Sequence, residues 1–204
     1  MIGWLYANVY SELPDISQVK NMIFSQATVI TDRNDEVLYK VFAENREYVP
    51  LSGVSDHMIN AMVAIEDQRY WEHAGLDPLG LIRAGVTALL NPGSRIQGAS
   101  TIPQQLVRNL LLTRDRKIDR KLKEIVLTSR LDGVLEDQIS KEYPSLSADE
   151  LHTKMKETIL ELYLNYIFFG NNSYGIEAAS KTYFGTASQN LTVLQSAVLA
   201  SIPK

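Results

Sequence analysis

The stretch Arg116-Lys117-Ile118-Asp119-Arg120-Lys121-Leu122-Lys123-Glu124 opens the longest helix that the sequence predicts, from about Asp115 to Ile139. At roughly 100° per residue, one side of this helix is a charged arc formed by Arg116, Lys117, Arg120, Lys123 and Glu124. The opposite side is an apolar arc formed by Ile118, Leu122, Ile125 and Val126. We expect the apolar arc to pack and the charged arc to collect an anion site. Farther along the helix, Leu127 and Leu131 lie on the same face as the charged arc, so we expect that face to be covered there.

Further helices are predicted on both sides of this one. The apolar periodicity and the start and stop signals place them at Val54–Ile65, Asp77–Leu90, Pro103–Leu112, Ser147–Tyr166 and Leu191–Ala200. The fourth begins with a capping box made by Ser147 and Glu150. A hairpin within Thr28–Phe42, built around an Asp/Asn turn, is the one convincing β element. The sequence therefore predicts a mainly α fold.

Composition excludes several classes of protein. The 204 residues, 45% of them hydrophobic, suffice for a substantial core, and a net charge of -4 argues against a general nucleic-acid binder. Without cysteine there is no disulfide, thiolate nucleophile or zinc-thiolate site. The three histidines follow no metal-ligand spacing, which leaves any metal to carboxylates and phosphate. Residues 1–27 read as an N-terminal segment whose apolar start is either the remnant of a membrane anchor or a buried stretch.

Three polar segments contain the candidate chemistry. Glu66 follows an apolar run on a predicted helix, where desolvation would suit it to proton transfer, although it could simply pair with Arg69. The segment 98–105, rich in hydroxyls and amides, favours either an anion site at a helix start or plain capping. Glu124 works with the charged arc or pairs only with Arg120 or Lys121. Two carboxylates with a basic cluster and neutral hydrogen-bonding groups match sugar transfer at a phosphate-activated carbon.

Four motifs follow one another in order along the chain. They consist of Glu66, Asp67, Tyr70, His73 and Gly75; Gly98, Ser100, Thr101, Gln104 and Gln105; Arg120, Lys121 and Glu124; and residues 159–165 with Gly170 and Gly175. With these motifs the chain, from about Thr28 to Pro203, resembles the peptidoglycan glycosyltransferases of glycosyltransferase family 51. This family comprises monofunctional transglycosylases and the transglycosylase domain of class A penicillin-binding proteins.

The resemblance implies a fold and an activity for residues 28–204. The fold would be a lysozyme-like helical lobe beside a small membrane-associated lobe, at the outer face of the bacterial cytoplasmic membrane. The enzyme would polymerise lipid II and a lipid-linked glycan strand into β-1,4 glycan with inversion, releasing undecaprenyl diphosphate. Its partners would be the membrane surface, a C-terminal transpeptidase domain and other cell-wall synthesis proteins, with no nucleic acid.

The resemblance also implies site residues. Glu66 would be the general base, and Glu124 would hold the donor diphosphate with the basic residues. A divalent cation, Mg²⁺ or Mn²⁺, is compatible with this arrangement if it binds together with the diphosphate. The residues implied to bind substrate are Asp67, Arg69, His73, Ser100, Thr101, Gln104, Gln105, Arg108, Arg116, Arg120, Lys121, Lys123 and Asn165.

Some positions depart from the family pattern and keep alternatives open. Pro103 stands in place of the usual threonine, Tyr70 of phenylalanine, Arg108 of lysine and Gln195 of glutamate. Residues 142–154 read as an insertion that lengthens a surface loop. One alternative is a lysozyme-like enzyme that cleaves glycan, although such chemistry needs no basic arc. The other is a non-catalytic scaffold that binds cell-wall precursors.

Overall fold

A computed structural model describes residues 28–34, 36–41, 44–80, 82–83, 90, 100–112 and 117–203. The described part is mainly helical, as the sequence predicted. Its helices are α1 Asp56–Glu66, α2 Ile102–Leu111, α3 Lys117–Glu142, α4 Ala148–Tyr166, α5 Ile176–Phe184 and α6 Val193–Ala200, with short 3₁₀ helices at Leu51–Gly53 and Ser188–Asn190. The strands are β1 Thr28–Thr31, β2 Val37–Val41, β3 Asn45–Arg46 and β4 Ser173–Tyr174.

Local side-chain chemistry fixes where two of the helices begin. Thr101 caps α2 through a capping box in which the hydroxyl accepts from the backbone N–H of Gln104 and the Gln104 side chain accepts from the N–H of Thr101. Pro103 lies in the first turn, where a missing backbone N–H costs no helical hydrogen bond. The predicted cap of α4 is confirmed, because Glu150 accepts from both the N–H and the hydroxyl of Ser147.

The orientation predicted for α3 is wrong in its N-terminal half. Lys123 and Glu124 of the charged arc are buried, at 8% and 3% exposure. Leu122, Ile125 and Val126 of the apolar arc are only half-buried. The periodicity gives the angle between the two arcs but could not tell which neighbour each one meets. Leu127 and Leu131 are fully covered, as expected from their position beyond the charged arc.

The β structure matches the prediction and adds to it. β1 and β2 form the expected antiparallel hairpin, with a register irregularity between Ile30 and Thr31. A second sheet was not predicted: β3 pairs in parallel with β4, with Asn45 opposite Ser173 and Arg46 opposite Tyr174. Strands of two residues contain no alternation that a sequence pattern could reveal.

The described residues divide into two compact units, one within residues 63–160 and the other within residues 28–62 and 161–203. The core of the first unit includes Ile102, Leu106, Leu127, Leu131, Leu135, Ile139, Ile159 and the ring of Tyr70, all at most 1% exposed. The core of the second includes Met58, Met62, Phe169, Ile176, Ala179 and Leu199, which are fully buried. The predicted domain boundary after residue 27 lies next to residues outside the described part and stays a prediction.

Two surface predictions meet different outcomes. The connection between α3 and α4 is only residues 143–147, so most of the expected surface loop at 142–154 is instead the start of α4. The predicted helix from Asp77 to Leu90 and the loop after it lie largely outside the described residues. Of the described helices, none has the length and apolar content needed to cross a membrane.

Candidate active site

Glu66 ends α1, and its half-buried carboxylate is bound by a neighbour. The side-chain amide of Gln105 donates a hydrogen bond of 2.7 Å to Oε2 of Glu66. Gln105 is 7% exposed, so water has little access to replace it. An amide that donates to a carboxylate fixes the direction of the oxygen atoms. Glu66 is thereby oriented and suited to accept a proton.

The first turn of α2 places its two glutamines in different roles. Gln104 occupies the capping box and is 2% exposed. Gln105 is the next residue, about 100° farther around the helix, and reaches Glu66 instead. Thr101 also donates its hydroxyl to the carbonyl of Gly75, at 2.6 Å. The capping contacts therefore set the position from which Gln105 meets Glu66.

Asp67 links the end of α1 to the start of α2. Its Oδ2 accepts from the backbone N–H of Ile102 at 3.0 Å, in the first turn of α2. Its two oxygens also lie 2.9 and 3.0 Å from Nε2 of His73. Asp67 and His73 are both 6% exposed. This buried bridge holds the residue adjacent to Glu66 against the helix that bears Gln105.

Lys121 connects α3 to the segment before α2. Its ammonium donates to the hydroxyl of Ser100 at 2.9 Å and lies 3.5 Å from Oε1 of Gln104. It also pairs with Oε2 of Glu124 at 3.2 Å, with 40% of the lysine side chain and 4% of the glutamate side chain exposed. The structure thus brings both predicted glutamates to the first turn of α2, through Gln105 on one side and Lys121 on the other.

Of the remaining predicted cations of this unit, Lys123 is buried, whereas Arg69 and Arg108 are half-buried. Arg69 pairs with Glu72 at 2.8 Å and with Asp77 at 2.9 Å. The hydrogen bond to Glu72, with the charge of Asp77, raises the pKa of Arg69. Arg108 lies half-buried in the last part of α2. The side chains of Arg116 and Arg120 lie outside the described part of the structure.

Asn165 belongs to the second unit and makes contacts there. Its side chain accepts from the N–H of Val49 and donates to the carbonyls of Val49 and Glu161. Its own carbonyl accepts from the guanidinium of Arg46. At 1% exposure, Asn165 holds the backbone beside β3 in place. Its predicted role in substrate binding stays a prediction.

Sequence reasoning did not identify two charged residues near this site. Asp132 on α3 lies beside Gly75, because a Cβ added to that glycine would be 2.1 Å from Oδ2 of Asp132. Lys156 on α4 is 2% exposed. Burial raises the pKa of Asp132 to about 6 and lowers that of Lys156 to about 8. Their positions on long helices read as ordinary surface charges, so no sequence signal marked them.

Glu124 is the protein ligand that a divalent cation would use here. Among the described residues, no group of three or more acidic or histidine side chains could hold a metal ion. Mg²⁺ commonly binds through one or two carboxylates together with substrate phosphates and water. The buried Glu124, beside Lys121, fits a cation held mainly by a diphosphate and does not fit a cation site built by the protein alone.

Comparisons with known proteins place the chain in a family. The sequence profile described as "Transglycosylase" matches residues 34–204. Penicillin-binding protein 1A of Escherichia coli (strain K12) is 36% identical over 98% of this chain and 21% of its own length. The proteins of the same name from Haemophilus influenzae and Aquifex aeolicus are 38% identical over 99% of the chain and 35% over 96%.

The chain spans about a quarter or less of these relatives, 20% of the Haemophilus protein and 24% of the Aquifex protein. The matched region includes Glu66, Gln105 and Glu124, whose contacts were described above. The chain therefore belongs to the transglycosylase family, and the domain that it forms is a peptidoglycan glycosyltransferase.

Proposed function

We propose that this domain polymerises lipid II into β-1,4 glycan strands with inversion and releases undecaprenyl diphosphate. The observation that supports this most is the joint placement of Glu66 and Glu124 at the first turn of α2, one bound by Gln105 and the other by Lys121. A base and an anion-binding group on one scaffold match the two requirements of glycosyl transfer from a diphosphate.

In the proposed reaction, Glu66 accepts the proton of the acceptor 4-hydroxyl. The oxygen of that hydroxyl forms a bond to the anomeric carbon of the donor as the bond to the diphosphate breaks. The diphosphate leaves with the electron pair, and attack from the opposite side inverts the anomeric carbon. Gln105 holds Glu66 in one orientation throughout, because its amide donates to Oε2 and leaves the other oxygen to face the hydroxyl.

Charge neutralisation at the diphosphate is the second part of the proposal. The charge that develops on the leaving group is offset by Lys121 and by the predicted basic residues Arg116, Arg120 and Lys123. A divalent cation bound with the diphosphate and Glu124 would supply further positive charge. Ser100 and Gln104 orient the ammonium of Lys121. Arg69 and Arg108, both partly exposed, remain predicted substrate contacts.

Substrates with a polyprenyl chain place the reaction at a membrane surface. We propose the outer face of the bacterial cytoplasmic membrane, with a transpeptidase domain and other cell-wall synthesis proteins as partners. The name of the relatives, penicillin-binding protein, supports this assignment.

The test is polymerisation by the purified chain. The wild type, Glu124→Gln and the matched control Glu157→Gln, which removes a partly exposed carboxylate on α4, are incubated with lipid II and Mg²⁺. Products are resolved by length on a gel and then digested with a muramidase to verify the β-1,4 linkage. We expect long strands from the wild type and the control, and little product from Glu124→Gln. Unchanged lipid II in every reaction, or shortening of added glycan, contradicts the proposal.

A further inference from the structure

A buried lysine on α4, Lys156, packs against the ring of Tyr70 in the segment that follows Glu66. Lys156 is 2% exposed, and its ammonium has no hydrogen-bond partner among the described residues. The ammonium lies 4.5 Å from the centre of the Tyr70 ring, a cation-π distance, while the Tyr70 hydroxyl donates to the carbonyl of Lys156 at 2.5 Å. Burial of a charge without hydrogen bonds is costly, so neighbouring charges must compensate it.

Two carboxylates from different elements provide that compensation. The charge of Lys156 interacts favourably with Asp132 on α3 and with Asp67 after α1. The groups that face this cluster are Tyr70 and His73 from the segment after α1, Glu136 from α3 and His152 from α4. The Nδ1 atom of His73 is also buried without a hydrogen-bond partner in the described structure. Two carboxylates and one ammonium, from the segment after α1, from α3 and from α4, therefore meet in the interior of this unit.

One member of the cluster is the neighbour in the chain of Glu66, the proposed base. Asp67 follows Glu66 in the chain, and its carboxylate binds both His73 and the N–H of Ile102. These bonds hold the end of α1 at the start of α2, where Gln105 meets Glu66. If Asp67 loses its charge balance, the contact between Glu66 and Gln105 loses its support.

We propose that Lys156 is a positioning residue for the transfer reaction: its buried ammonium balances Asp67 and Asp132 and so holds Glu66 against Gln105. This inference rests on the proposed function for its catalytic consequence. Lys156 lies behind Asp67 and touches neither substrate nor the reacting atoms. We therefore expect a substitution of Lys156 to change kcat and the pH dependence of kcat, with little effect on KM.

The first test compares variants in lipid II polymerisation between pH 6 and 9. Lys156→Met removes the charge and keeps much of the packing, Lys156→Arg keeps the charge, and Lys154→Met is the control at an exposed lysine on the same helix. We expect Lys156→Met to lower kcat by about 10- to 100-fold with KM nearly unchanged. Lys156→Arg should retain most of kcat, and Lys154→Met should match the wild type. A wild-type kcat in Lys156→Met overturns the proposal.

The pH profile separates charge from packing. The pKa of Lys156 is about 8, so wild-type kcat should fall as pH rises through that value. The fall should move to higher pH in Lys156→Arg, whose guanidinium stays charged. It should move to lower pH in Asp132→Asn, because the lost carboxylate no longer favours the ammonium. Identical profiles in all three proteins would indicate a purely structural lysine.

A second arm does not depend on activity. The ¹³C signal of the Lys156 side chain, assigned by its loss in Lys156→Arg, reports its titration directly. We expect the midpoint near pH 8 and a lower midpoint in Asp132→Asn. An unchanged midpoint overturns the charge coupling, whether or not the protein turns over lipid II. If the wild type makes no glycan while the midpoint shifts as expected, the proposed function fails and the buried charge cluster stands.

Discussion

Replacing Gln105 by alanine separates two roles for this residue. The sequence predicted that it binds substrate, whereas the structure shows its amide donating to Glu66 at 2.7 Å. A hydrogen bond to a charged group contributes about 1.5 to 3 kcal/mol, and each 1.36 kcal/mol is about tenfold in rate. Because Gln105 is 7% exposed, water replaces its amide poorly. We therefore expect kcat to fall roughly 10- to 150-fold in Gln105→Ala, with KM changed only a few-fold.

The assay is the initial rate of glycan formation over a range of lipid II concentrations. Gln195→Ala is the matched control, because Gln195 occupies a capping box on α6 in the second unit and contacts Thr192. The control should lose a little stability and keep its kcat. A raised KM with an unchanged kcat in Gln105→Ala would refute the reasoning and return Gln105 to substrate binding.

The remaining predictions concern the stability of the first unit, measured by urea unfolding. Gly75→Ala should lower the free energy of unfolding by about 1 to 3 kcal/mol or more. The reason is that Gly75 has φ +64° and an added Cβ would lie 2.1 Å from the Asp132 carboxylate. An unchanged unfolding midpoint would show that this contact gives way easily. Burial raises the pKa of Asp132 from 3.8 to about 6. Because the folded protein favours the protonated carboxyl, the contribution of this group to the free energy of unfolding is fully present below pH 3.8 and is lost as pH rises through 6. The stability of Asp132→Asn relative to the wild type should therefore rise by about 1 to 2 kcal/mol between pH 4 and 7, after allowance for solvent screening, on top of a pH-independent loss because the buried Lys156 ammonium has lost a compensating carboxylate. A difference that does not vary with pH contradicts this assignment.

The long helices and their caps could be read from the sequence because they depend on neighbouring residues. The Ser147 and Glu150 capping box lies where the pattern predicted it. The Thr101 capping box follows the same rule, since threonine is followed three residues later by glutamine. Once Gln104 is assigned to that cap, the different direction of Gln105 follows from helix geometry.

Features that depend on distant parts of the chain could not be predicted. Lys123 and Glu124 look like members of a solvated charged arc, yet the packing of α3 buries them. Lys154 and Lys156 are two residues apart on α4, and only the second is buried. The periodicity gives the angle between such residues and says nothing about which direction faces the core. The β3 and β4 pairing joins segments more than a hundred residues apart through two residues each.

The most direct test of the central claim is the polymerisation rate of Glu66→Gln. This change keeps the size and the hydrogen-bonding shape of the side chain but removes the base. Lipid II consumption and strand length are measured beside the wild type, with thermal melting and lipid II binding as checks on the fold and the substrate site. We expect a loss of at least about a hundredfold in kcat, with melting and binding unchanged. Strand synthesis at a rate near that of the wild type would show that Glu66 is not the base.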